Sequence, residues 1–82
     1  MNKYHAFLKI LECGSFTVAA DELNYTQSAV SQMISSLEKE LDTTLFVRSR
    51  HSLQLTYEGE QLLPLIRKMV QDERMLKEKA ME

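Results

Sequence analysis

The chain has 82 residues, 44% of them apolar, and a formal charge of −2, which bounds it to one small domain with one modest core. Two glycines, one proline and twelve leucines against seven valines and isoleucines exclude collagen-like, disordered and all-β classes and favour helix. One cysteine excludes a disulfide framework or a cysteine-rich zinc site, and no apolar run approaches the ~18 residues of a membrane span. The expectation is a soluble cytoplasmic protein with no metal, no cofactor and no membrane partner.

The first helix is expected to start after Asn2 as N-cap and to run to about Glu12. Tyr4, Phe7, Leu8 and Leu11 form its apolar stripe. Gly14 can take the left-handed conformation that ends it. Ser15 caps a short second helix, Phe16 to Leu23, and Asn24 tolerates the positive φ needed where that helix stops. Thr26 caps a third helix, Gln27 to about Leu41, with Val30, Ile34, Leu37 and Leu41 on a narrow apolar stripe. Leu45 to Val47 and Leu53 to Thr56 then read as a small hairpin around the basic tip Arg48-Ser49-Arg50-His51-Ser52. Thr56 caps a long last helix, Tyr57 to about Ala80, in which Glu58 and Glu60 complement the macrodipole. Pro64 removes one backbone hydrogen bond from it and should bend it locally.

Charge is unevenly distributed. Residues 1–42 sum to −3, residues 43–57 to +2 and residues 58–82 to −1. The thirteen residues from Asn24 to Ser36 carry no charge and are rich in Thr, Gln and Ser. A solvated helix face ordinarily uses Lys and Glu, so this neutral face needs another use.

Two helices joined by a short turn, the second with a polar outward face, describe a helix-turn-helix. Ala19 and Ala20 are small where the helices cross, and Leu23, Val30 and Ile34 form the inner corner. Facing away from the corner are Gln27, Ser28, Ser31, Gln32 and Ser35, with Thr26 at the helix start. Gln can bond adenine in a bidentate way, and Ser and Thr hydroxyls can serve bases or phosphates. The helix N-terminus itself can approach a phosphate. The hairpin becomes a wing whose Arg48, Arg50 and His51 are aimed at the DNA backbone or minor groove. The expected fold is mainly α with a small β-hairpin wing, a winged helix-turn-helix followed by a long dimerisation helix.

The run Gly14-Ser15-Phe16-Thr17, then Ala19-Ala20, Leu23, Thr26-Gln27-Ser28-Ala29-Val30-Ser31, Ile34, Leu37-Glu38, Leu41, Leu45-Phe46, Arg48, and Leu55-Thr56 with Gly59, resembles the LysR-type transcriptional regulators. The resemblance covers nearly the whole chain. It implies a winged DNA-binding domain over residues 1–57 and a linker helix over residues 58–82 that pairs two protomers. It places Gln27, Ser28, Ser31 and Gln32 on the helix that reads bases and contacts phosphates, and Arg48 in the wing. It also implies a bacterial regulator of transcription, with double-stranded DNA as partner. This chain departs from the family at Asp42, where Gly is usual, at Gln32, where a basic residue is common, and at His51, where Arg is usual. The family's large C-terminal effector-binding domain has no counterpart in these 82 residues. The expectation is therefore a DNA-binding fragment with no small-molecule ligand of its own.

The last helix carries Leu62, Ile66, Met69, Leu76 and Ala80 on one stripe, with Glu73 in the gap, and Leu63, Val70 and Met81 broaden it. Some 23 residues at ~1.5 Å each extend about 35 Å, further than the domain is wide. Pairing with a second copy is the economical way to cover that stripe, and a higher oligomer is compatible with a longer protein. The alternative is a helix folded back on its own domain. Glu38 is a candidate partner for Arg48. Cys13 reads as a semi-buried thiol at a helix end, and His5 and His51 as surface side chains.

An enzyme is rejected, because the sequence offers no nucleophile-base pair, ligand cluster or phosphate-binding glycine loop. A winged-helix module for protein–protein assembly is the competing reading, kept alive by the acidic balance, and it predicts weak, salt-insensitive DNA contact.

Overall fold

A computed structural model of the protein describes residues 3–49 and 52–82. The expected N-cap Asn2 and the wing-tip residues Arg50 and His51 lie outside the described residues. The elements are α1 (Lys3–Cys13), α2 (Phe16–Leu23), α3 (Gln27–Leu41), β1 (Phe46–Arg48), β2 (Leu53–Leu55) and α4 (Tyr57–Ala80). β1 and β2 pair antiparallel, with Phe46 opposite Leu55, Val47 opposite Gln54 and Arg48 opposite Leu53.

Each helix end has a chemical cause. The Ser15 hydroxyl accepts from Val18 N at 3.2 Å, Thr26 from Ala29 N at 3.0 Å and Thr56 from Gly59 N at 2.9 Å, satisfying amides that the first turn leaves open. Asn24 (φ 61°) and Asp42 (φ 50°) end α2 and α3 in the left-handed region, as Gly14 (φ 69°) ends α1. The next amides close the ends: Tyr25 N donates to Ala20 O at 2.9 Å and Thr43 N to Glu38 O at 2.9 Å. α4 continues through Pro64. Lacking an N–H, Pro64 leaves the Glu60 carbonyl without its usual donor, on an exposed part of the helix.

α1, α2 and α3 pack around Phe7, Ile10, Ala19, Val30, Ile34 and Leu37, all essentially inaccessible to solvent. Ala19 and Ala20 are buried on α2, which packs against both α1 and α3, and small side chains let helix backbones approach closely. Phe46 closes the core from the wing side, its ring 5.3 Å from Phe7 and 5.6 Å from Phe16, the second pair edge-on. The α1 stripe differs from expectation. Ala6, Phe7 and Ile10 are buried, while Tyr4, Leu8 and Leu11 pack at the margin. α1 is covered by α4 as well as by α2 and α3, so its buried arc is wider than one stripe and centred elsewhere.

The expected Glu38–Arg48 pair does not form. The Glu38 carboxylate instead accepts from Leu45 N at 2.6 Å and Phe46 N at 3.3 Å, and Arg48 lies over the Phe16 ring. Two unpaired amides entering the wing hold a carboxylate more closely than an exposed guanidinium does. On the far side, the Cys13 thiol donates to Glu22 at 2.7 Å. That bond raises the thiol above its ordinary pKa. The same bond, with Lys9 next in effect, holds the Glu22 carboxyl below the usual carboxylate range.

Two substitutions test these junctions. A Cβ at Gly59 would sit 2.6 Å from the Leu45 carbonyl oxygen, so Gly59→Ala should lower unfolding stability by about 1–3 kcal/mol. Asp42→Gly should relieve the left-handed end of α3 and raise stability by about 0.5–1 kcal/mol. Urea titration followed by circular dichroism measures both.

Candidate nucleic-acid interface

α3 divides its residues cleanly. Val30, Ile34 and Leu37 point into the core, while Thr26, Gln27, Ser28, Gln32 and Ser35 are exposed and Ser31 is half-buried. The expected reading residues therefore share one outward face, beginning in the first turn of the helix. Thr26 is committed to its cap, which leaves the amides of Gln27 and Ser28 as the open donors of that turn.

The wing stands beside this face. A shallow cleft of about 440 Å³ is lined by Ser15, the N-cap of α2, by Phe16 and Thr17 of α2, Gln27 of α3, and Arg48, Ser49 and Ser52 of the hairpin. The Arg48 guanidinium carbon lies 3.7 Å from the centroid of Phe16, a cation–π contact that ties the wing to α2 and restricts where the charge can go. Ser49 N donates to Ser52 O at 3.0 Å, and the two hydroxyls are 2.7 Å apart, closing the loop. Arg50 and His51 lie outside the described residues.

The surroundings are electrically quiet. Lys3 pairs with Glu40, and Lys9 lies 3.5 Å from both Glu12 and Glu22. Lys9 is held above its ordinary pKa, chiefly by Glu12 and then by Glu22. These charges sit on α1, at the α1–α2 edge and toward the C-terminal end of α3, not on the residues Asn24 to Ser36. Among the described residues no group of three or more potential metal ligands forms. The cleft offers hydroxyls, one amide and one guanidinium, groups that donate to bases and phosphates.

On α4, the residues expected to pair two copies separate into two sets. Ile66 is only 4% exposed and belongs to the domain core, with Leu62 and Val70 packed against it. Glu73 faces α1, its carboxylate 3.6 Å from His5 Nε2. Met69 and Leu76 are open to solvent at 43% and 70%. Leu65, 64% exposed, shares their side of the helix. Leu65 is absent from the stripe expected from sequence, although its spacing of 3 from Leu62 and 4 from Met69 is the available signal. Thr17 was likewise read only as part of a motif. Its placement against Gln27 is tertiary, and nothing in its sequence neighbourhood signals it.

The sequence model of the family described as bacterial regulatory helix-turn-helix protein, lysR family, matches residues 1–60. The chain is 50% identical over 66 residues to the HTH-type transcriptional activator AmpR of Citrobacter freundii, covering 80% of this chain and 23% of that protein. It thus spans about a quarter of the length of the curated relatives it matches. Among solved structures, the oxidized form of Corynebacterium glutamicum OxyR superposes with a TM-score of 0.88 at 31% identity, over 95% of this chain and 24% of that one. The DNA-binding domain of BenM, in complex with benA site 1 DNA, superposes with a TM-score of 0.87 at 28% identity, over 95% of this chain and 88% of that one. With this family profile across the helix-turn-helix and wing, the chain belongs to the LysR family of bacterial regulatory helix-turn-helix proteins.

Proposed function

We propose that the chain is the DNA-reading part of a transcriptional regulator that binds double-stranded DNA sequence-specifically as a dimer. One observation carries the reading: an uncharged hydrogen-bonding face opens α3, with Arg48 of the wing held across one cleft from Gln27. α3 enters the major groove by its N-terminal half, where Gln27, Ser28, Ser31 and Gln32 meet base edges. Thr26 and Ser35 flank them toward the phosphates, and Arg48, Arg50 and His51 follow the backbone beside the wing. BenM's DNA-binding domain, similar over most of its length, is a DNA complex, which supports this docking. Nothing in the reading involves catalysis.

Residues 1–57 act as the reader and residues 58–82 as the linker that pairs it with a second copy. α4 spans 24 residues, about 36 Å at 1.5 Å each, and leaves Leu65, Met69 and Leu76 uncovered along one side. A second α4 laid against that side sets two recognition helices about a two-fold axis, so the site is a partial inverted repeat.

Selection from a random duplex pool at low salt should enrich an inverted repeat; a pool with no enrichment counts against the reading. Gln27→Ala should relax preference at one base pair of each half-site by ~1–3 kcal/mol, whereas Arg48→Ala should weaken all duplexes alike. With Arg48 and Arg50 from each of two protomers as the phosphate contacts, log Kd against log salt should have a slope of magnitude about 3.6. Salt-insensitive binding would instead favour an assembly module. Sedimentation equilibrium should show a dimer that Leu76→Glu dissociates, and a wild-type monomer at high micromolar concentration would exclude the pairing.

A further inference from the structure

We infer that Thr17 sets the base preference of Gln27 by fixing which end of its amide faces the DNA. The Thr17 hydroxyl, on α2, donates to Gln27 Oε1 at 3.3 Å, and both residues line the cleft between the helix-turn-helix and the wing. A glutamine amide has one acceptor end and one donor end. With Oε1 accepting from Thr17, one of its two lone pairs is taken, and the Nε2 group with its two N–H donors is the end left fully open to a ligand. Bidentate reading of adenine needs both ends at once, an acceptor for N6–H and a donor for N7. Gln27 held this way instead selects bases that present acceptors: guanine, through N7 and O6, or thymine, through O4. Cytosine, which presents an N4 donor, is disfavoured, since it meets only the partly engaged Oε1. The inference rests on the DNA-binding reading above and replaces the bidentate adenine contact expected from the residue type alone. Thr17 is a positioning residue, since it acts through Gln27.

The test is random-duplex selection with the 82-residue chain, followed by affinities for the selected site with each base in turn at the pair where Gln27→Ala loses discrimination. The wild-type chain should favour guanine or thymine there. Thr17→Val, which keeps the shape and removes the hydroxyl, should free the amide to rotate and raise adenine relative to guanine about fivefold, the scale of one hydrogen bond near 1 kcal/mol. Thr17→Ser should restore the wild-type order, and Thr17→Ala serves if the valine variant folds poorly by circular dichroism. In the Thr17→Val background, adding Gln27→Ala should abolish the change, a coupling that mere loosening of α2 does not produce. An enriched site at which wild type prefers adenine, or at which Thr17→Val and Thr17→Ala leave the base order unchanged, overturns the inference and leaves the DNA reading standing. Failure to enrich any site overturns both.

Discussion

Leu45 is where α3, the wing hairpin and α4 are joined, and both polar atoms of its backbone are used. Its N–H donates to the Glu38 carboxylate of α3, and its carbonyl accepts from Thr56 N, the residue that caps α4. The Thr56 hydroxyl donates back to the Thr44 carbonyl while accepting from Gly59 N. Gly59 lies so close to the Leu45 carbonyl that any side chain would collide. The Leu45 side chain is buried. The relative positions of α3, the wing hairpin and α4 are therefore fixed at one chain crossing, by hydrogen bonds that are costly to leave unmade. Under the proposed pairing, a reader that spans two half-sites would depend on that fixity, because an angular error at the root of a 24-residue helix grows along its length.

The overall acidity and the proposed partner are compatible once the charges are located. On α1, Lys3 and Lys9 are matched with Glu40, Glu12 and Glu22, and along α4 Lys68 pairs with Asp72, and Lys77 with Glu73. Exposed pairs of this kind stabilise little. They do keep acids engaged on faces other than the neutral one. What remains on the proposed reading face is hydrogen-bonding capacity with little long-range attraction. Such a surface binds weakly to arbitrary DNA and discriminates by whether its donors find acceptors.

The helices were legible because their ends are written in residue chemistry. Ser15, Thr26 and Thr56 as caps, with Asn24 as a left-handed stop, place α2, α3 and α4 at their observed bounds. The outward grouping of Gln27, Ser28, Ser31, Gln32 and Ser35 follows from the same 3.6-residue geometry. What failed depends on contacts distant in sequence. Glu38 looked like a partner for Arg48 because charge suggests charge. The structure gives it two backbone amides, a need that appears only once the chain turns at Leu45. The Thr17–Gln27 bond crosses the turn between α2 and α3 and has no sequence signature, since threonine early in a helix is ordinary.

The division of labour along α4 shows how a small error in helical phase changes a functional reading. Ile66 looks like the centre of a pairing stripe because it is the most apolar residue there, yet the domain buries it against its own core. One residue of shift is 100° of rotation, so the face left for a partner is the one carrying Leu65, Met69 and Leu76, at the edge of the intramolecular contact. Leu62 lies between the two faces, partly packed on the core and lining the apolar groove shared by Tyr4, Leu65 and Met69. Under the proposed pairing the two surfaces are thus contiguous, and the helix packs on its own domain and on the second copy through adjoining rows.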